Sequence, residues 1–131
     1  LFPGDLENEG EAVVVSRKRP VLRSDVLLAP HHGSRRSSSL LFLQEVKPRF
    51  CVISARSSSP PRFPHPETLG RLEEIGCRVL RIDRLGAITF SASLDELKIG
   101  SHRGGLIETA SYPGLDHRRA RSEKEKIHEN D

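Results

Sequence analysis

A chain of 131 residues with 35% hydrophobic and 5% aromatic content has the size of one domain plus tails, with apolar surface for a modest core. Its 21 basic and 18 acidic residues are interleaved and leave a formal net charge of +3, a balance that permits polyanion binding without demanding it. No window approaches the roughly 18 to 20 apolar residues of a membrane span, no signal-peptide pattern opens the chain, and two cysteines without a C-x-x-C spacing exclude a disulfide framework or a zinc knuckle.

In chain order, "LFPGDLENEGEAVVVSRKRP" predicts the end of a strand, a turn at Gly4-Asp5, and a helix that turns Ala12, Val13 and Val15 to the core and stops before Pro20. "DVLLA" (25–29) is a short buried-strand run that ends at Pro30 and delivers His31, His32 and Gly33. Behind a serine cap, Leu40, Leu41, Leu43 and Val46 give a helical stripe. "RFCVISA" (49–55) predicts a strand, and a loop dense in Ser, Pro and Arg follows it as far as His65. "PETLGRLEEIG" predicts a helix opened by Pro66, with Glu67 in its first turn, and stopped at Gly76. "CRVLRID" and "GAITFSAS" are expected as a strand pair around Leu85-Gly86. Cys51 and Cys77 fall in these strand-like runs and are expected as buried free thiols.

Residues 1–100 are therefore drawn as the domain and residues 101–131 as a low-order charged tail, because the segment from Asp116 onward is mostly charged and buries too little to offset its ordering entropy. Strands alternating with helices indicate an α/β fold, in which chemistry gathers in the loops beyond strand ends. With Leu at position 1 and no methionine, the chain is read as a fragment or processed piece, soluble as it stands.

Three such loops hold the polar groups of interest: Asp5, then His31 and His32, then the segment 56–65 with His65. If the loops converge, one carboxylate meets up to three imidazoles, an inventory suited to zinc, manganese or iron and to activating a shared water. Ser34, Arg35, Arg36 and Ser37 add hydroxyls, guanidinium forks and a helix start suited to phosphate. Together they suggest metal-assisted hydrolysis of a phosphodiester. Each has a plainer reading: Asp5 as a helix N-cap, His31-His32 as a turn pair satisfied by backbone, His65 as part of a rigid loop, Ser37 to Ser39 as cap and loop, and Arg17-Lys18-Arg19 as a solvated helix end. His102, His117 and His128 lie in the expected tail and receive no role.

"FPGDLENEGE", "DVLLAPHHGSRRSSS", "PHPETLGRL" and "VLRIDRLGAITF", in this order, resemble the C-terminal half of the metallo-β-lactamase-fold domain of ComEC-type DNA-uptake (competence) proteins. The resemblance covers residues 1 to 92. It implies half of an αββα sandwich, with an open sheet face where the absent N-terminal half would pack. Asp5 then matches the aspartate that bridges two metals in the superfamily. His32 matches a late metal ligand, which leaves His31 beside it for proton transfer or phosphate contact. His65 matches the P-H-P histidine near the scissile phosphate, and Phe63 stands where the family often has a further histidine. The superfamily's main ligand cluster, H-x-H-x-D-H, has no counterpart here, so most ligands for the two divalent ions (zinc or manganese) would lie in the missing half, and this chain alone is expected to be inactive.

The implied parent is a metal-dependent nuclease or phosphodiesterase that acts on DNA during uptake. It would contact the DNA backbone through Arg35, Arg36, Ser34 and Ser37, and would be joined to a transmembrane channel region in a bacterial cytoplasmic membrane. Two alternatives remain open: a stand-alone hydrolase of the same fold, or a non-catalytic nucleic-acid-binding remnant of it.

Overall fold

The computed structural model describes residues 1–55 and 63–111, without the side chains of residues 18–20. Segment 56–62 of the predicted loop, and the part of the predicted tail from residue 112 onward with His117 and His128, lie outside the described residues. The fold is mixed α/β with two small sheets, and the chain divides into two units, Leu1–Gly86 and Ala87–Asp131.

The first unit opens with an extended segment laid along the first strand. The Leu1 N–H donates to Val26 O (2.7 Å) and the Leu28 N–H to Leu1 O (3.0 Å). Helix α1 (Asn8–Leu22) leads to β1 (Val26–Leu28); α2 (Leu40–Val46), β2 (Phe50–Ile53), α3 (Pro66–Glu74), β3 (Arg78–Arg81) and the short α4 (Ile82–Leu85) follow. The three strands pair in parallel in the order β1-β2-β3, with Leu27 opposite Cys51 and Cys51 opposite Val79. Parallel neighbours need crossovers, and α2 and α3 supply them. Leu27, Cys51 and Ile53 meet Val15 and Leu22 of α1, Phe42, Leu43 and Val46 of α2, and Leu72 of α3 in one core. Phe50, Val52 and Leu80 alternate to the opposite face of the sheet and are also buried. Val26 and Leu28 of β1 share that face and are only partly buried.

Helix α1 differs from expectation in two ways. It continues past position 20 to Leu22, and the side chains it buries are Glu11, Val15 and Leu22, while Val13 is 49% exposed. Positions 11, 15 and 22 share a helix face; positions 13 and 15 do not, so the predicted Ala12-Val13-Val15 stripe fails on geometry. In α2, Phe42 takes the inward place expected for Leu41, which is 47% exposed. Ser39 is the N-cap, and its hydroxyl accepts from the Phe42 N–H at 3.3 Å.

The predicted strand pair around Leu85-Gly86 does not form. β3 pairs with β2, and α4 intervenes before Gly86, whose φ of 72° turns the chain out of the helix. The second unit is an antiparallel meander of β4 (Ile88–Ala92), β5 (Glu96–Ser101) and β6 (Gly105–Ser111). Ser93 closes the first hairpin by accepting from the Asp95 and Glu96 N–H groups. Gly105, at φ 66°, admits the second turn, and Leu97, Ile99 and Ala110 are buried. β6 thus continues beyond residue 100, where a low-order tail was expected to begin; the alternation that buries Leu97, Ile99 and Ala110 outweighs the local charge. No helix among the described residues is long and apolar enough to cross a membrane.

Both cysteines are free and buried, as expected. Burial pushes the Cys77 thiol from its ordinary 9.0 up to about 12, and raises that of Cys51 further with help from neighbouring Cys77. The unfolded chain gains thiolate first, so the Cys77 contribution to stability is complete below pH 9 and is lost as pH rises from 9.0 towards about 12. Urea titrations across that window should show the decline, and Cys77→Ala should reduce its slope, the remainder coming from Cys51; an identical slope in the variant would contradict this assignment.

Candidate functional site

The turn Pro30–Gly33 leaves β1 at its carboxyl end with three successive residues in left-handed conformation: His31 (φ 44°, ψ 46°), His32 (φ 56°, ψ 19°) and Gly33 (φ 82°). For the two histidines this costs about 1–2 kcal/mol each, so the turn needs outside support. The His31 N–H donates to Gly4 O (3.0 Å), the Ser34 N–H to His31 O (2.9 Å), and the His65 N–H to Gly33 O (2.9 Å). Side chains complete the clamp. His31 Nδ1 lies 3.1 Å from Glu7 Oε1, and His32 Nδ1 lies 2.7 Å from Ser54 O at the carboxyl end of β2. The Phe63 ring stands 5.9 Å from the His31 ring and 6.3 Å from that of His32. The three predicted loops are therefore joined by hydrogen bonds at one end of the parallel sheet.

The serine segment behind the histidines is held from two sides. Glu11 is fully buried, and its carboxylate accepts from the Ser38 N–H (2.5 Å) and the Ser39 N–H (2.8 Å), which places negative charge at the start of α2. Arg71 of α3 donates to the carbonyls of Ser38 (2.8 Å), Ser37 (2.9 Å) and Arg35 (3.0 Å). Thr68 adds a 2.7 Å bond to Ser34 O. One acid and one base thus satisfy the donors and acceptors of a loop that has no ladder of its own, with Ser38 at φ 57°.

Asp5 is exposed and is not the helix cap; that position belongs to Glu7. His65 is the N-cap of α3, and its Nδ1 accepts from the Glu67 N–H at 3.3 Å. Arg35 pairs with Glu67 at 3.0 Å and Arg36 with Glu7 at 3.5 Å. Both guanidinium groups are two-thirds exposed, so these pairs are worth at most about 1 kcal/mol. Ser34 and Ser37 are turned inward. The Ser34 hydroxyl accepts from the Arg36 N–H, and the Ser37 hydroxyl, fully buried, donates to Pro30 O (2.8 Å) with Ser34 O as the alternative acceptor. Packing of the turn has thus claimed two of the four residues expected on phosphate. Among the described residues no group of three His, Cys, Asp or Glu side chains stands close enough to hold a metal ion.

Glu7, Glu11, Thr68 and Arg71 were not singled out from sequence. Their partners are distant main-chain or ring atoms, which residue patterns do not encode. The one available signal was Glu11 on the same helix face as Val15 and Leu22, a carboxylate inside an apolar stripe.

Replacing Glu11 by Ala leaves two N–H groups without their acceptor, and should cost about 2–4 kcal/mol, read as a fall in the urea midpoint. Gly33→Ala should cost about 1–3 kcal/mol, since its Cβ would stand 2.8 Å from Pro64 Cβ and its φ is left-handed. Amide shifts of Pro64's neighbours, His65 foremost, should report the displacement.

No known family model matches the chain. It is 38% identical over 90 residues to ComE operon protein 3 of Bacillus subtilis, a match covering 69% of this chain and 12% of that protein. It is 37% identical over 106 residues to competence protein ComA of Neisseria gonorrhoeae, covering 81% of this chain and 14% of the relative. Recombination protein 2 of Haemophilus influenzae is 31% identical over 103 residues, covering 79% and 13%. The matched segment is thus 12% to 14% of the length of these relatives. At 31% to 38% identity over more than two thirds of its length, the chain belongs to the competence-protein family of these relatives.

Proposed function

We propose that this chain is the C-terminal part of a metallo-β-lactamase-type domain in a ComEC-like competence protein, and that the completed domain is a metal-dependent phosphodiesterase acting on DNA during uptake. One observation carries the reading: the Gly4-Asp5 turn, the His31-His32 turn and His65 are hydrogen-bonded together beyond the carboxyl ends of β1 and β2, where α/β sheets carry their chemistry. The competence relatives supply the context of DNA entering a cell.

The donor chemistry fits a divalent ion only in part. His32 offers an imidazole held by Ser54 O, and Asp5 an exposed carboxylate; the remaining ligands would come from protein outside this chain. Such an ion, zinc or manganese, supplies Lewis acidity and lowers the pKa of a bound water. The chain's own residues hold the substrate beside it. Arg35 and Arg36, exposed and weakly paired, exchange Glu67 and Glu7 for backbone phosphates and so bind the strand without reading its sequence. His31 and His65 flank the same turn as proton-handling and phosphate-contacting groups.

The test is manganese- or zinc-dependent cleavage of single-stranded DNA by the intact protein that carries this segment. Asp5→Ala and His32→Ala should each lower the rate about 100-fold or more. Equal activity in the parent and both variants would remove these residues from the mechanism. DNA binding without any cleavage would leave a binding module instead.

A further inference from the structure

The partners of three ring nitrogens differ in kind, and that difference fixes where each proton sits. A carboxylate and a backbone carbonyl only accept hydrogen bonds, whereas a backbone N–H only donates. His31 Nδ1 faces Glu7 Oε1 at 3.1 Å, and His32 Nδ1 faces Ser54 O at 2.7 Å, so each of these nitrogens carries the hydrogen. In the neutral ring the Nε2 atoms of His31 and His32 are then bare lone pairs. His65 Nδ1 receives the Glu67 N–H at 3.3 Å, so its hydrogen lies on Nε2.

We infer that the three imidazoles form two chemical classes, His31 and His32 presenting Nε2 lone pairs and His65 presenting an Nε2–H donor, and that Glu7 is the positioning residue that sets the tautomer of His31. Lone-pair nitrogens suit a cation or the proton of a bound water; an N–H suits an oxyanion such as a phosphate oxygen. His65 is thereby assigned to the phosphate and not to a metal, because ligation through Nε2 would require it to give up its cap of α3. Glu7 is equipped for its role. Its Oε1 stands 3.1 Å from the imidazole nitrogen, and it is the N-cap residue of α1, which also carries Glu11 to the serine loop. A carboxylate behind an imidazole is the arrangement that orients a ring and raises its donor strength. The functional roles rest on the phosphodiesterase reading above; the tautomers do not.

The experiment is ring 15N spectroscopy of the uniformly labelled full chain at neutral pH without metal, correlating each ring nitrogen with its carbon-bound protons. The expected result is a pyridine-type Nε2 with a pyrrole-type Nδ1 for His31 and His32, and the reverse pattern for His65. Averaged nitrogens like those of free imidazole, or a pyrrole-type Nδ1 at His65, would overturn the assignment. In Glu7→Leu, His31 should move towards the Nε2–H tautomer while His32 and His65 keep their patterns; an unchanged His31 would remove Glu7 as the positioning residue. Glu7→Gln, whose amide both accepts and donates, should give His31 a mixture. The wild-type spectrum needs neither variant to fold nor any activity, so failure of the phosphodiesterase reading and failure of the tautomer assignment are separately visible.

Discussion

The serine loop between β1 and α2 has no sheet or helix partner for its main chain, and everything at the site depends on how that main chain is satisfied. Glu11 from α1 takes two of its N–H groups, and Arg71 from α3 takes three of its carbonyls. Unpaired buried amides cost as much as lost hydrogen bonds, and a fixed carboxylate and a fixed guanidinium are the strongest groups a protein has for this purpose. The two charges also tie two helices, α1 and α3, to the loop that opens α2. The turn ahead of this loop can then hold two histidines at positive φ, since the chain on both sides of it is pinned.

Strain in the histidine turn is matched by specific bonds and not by general packing. Gly4 O, Gly33 O and Ser54 O come from the segments before α1, after β1 and after β2, and each is used once by the turn or by His65. Main-chain carbonyls thus join the three segments, and the side chains of Glu7, Glu11 and Arg71 complete the clamp. This gives the Gly4-Asp5, His31-His32 and Pro64-His65 segments a fixed mutual position in a unit whose parallel sheet has only three strands.

The histidine turn stands at the carboxyl ends of the parallel strands, and the chain is similar to competence proteins. Arg35 and Arg36 stay near the surface in weak ion pairs, whereas Ser34 and Ser37 are consumed by the fold. Exposed positive charge and hydroxyls for architecture therefore come from one short segment.

The amino-acid pattern by itself determined most elements of the first unit: the short apolar runs at β1 and β2, the serine cap of α2, Pro66 opening α3, the buried thiols, and the position of the histidines beyond a strand end. These follow from local periodicity and from groups whose geometry is intrinsic, such as proline and a capping hydroxyl. Only the tertiary structure decided that β3 pairs with β2 and not with β4, that β6 is a strand, that Glu11 is buried, and that His65 caps a helix through Nδ1. Each of those outcomes depends on which main-chain donors and acceptors meet, across the chain for Glu11 and β3 and within one turn for β6 and His65. A residue alphabet records side chains and is silent about which carbonyl or amide will stand opposite them.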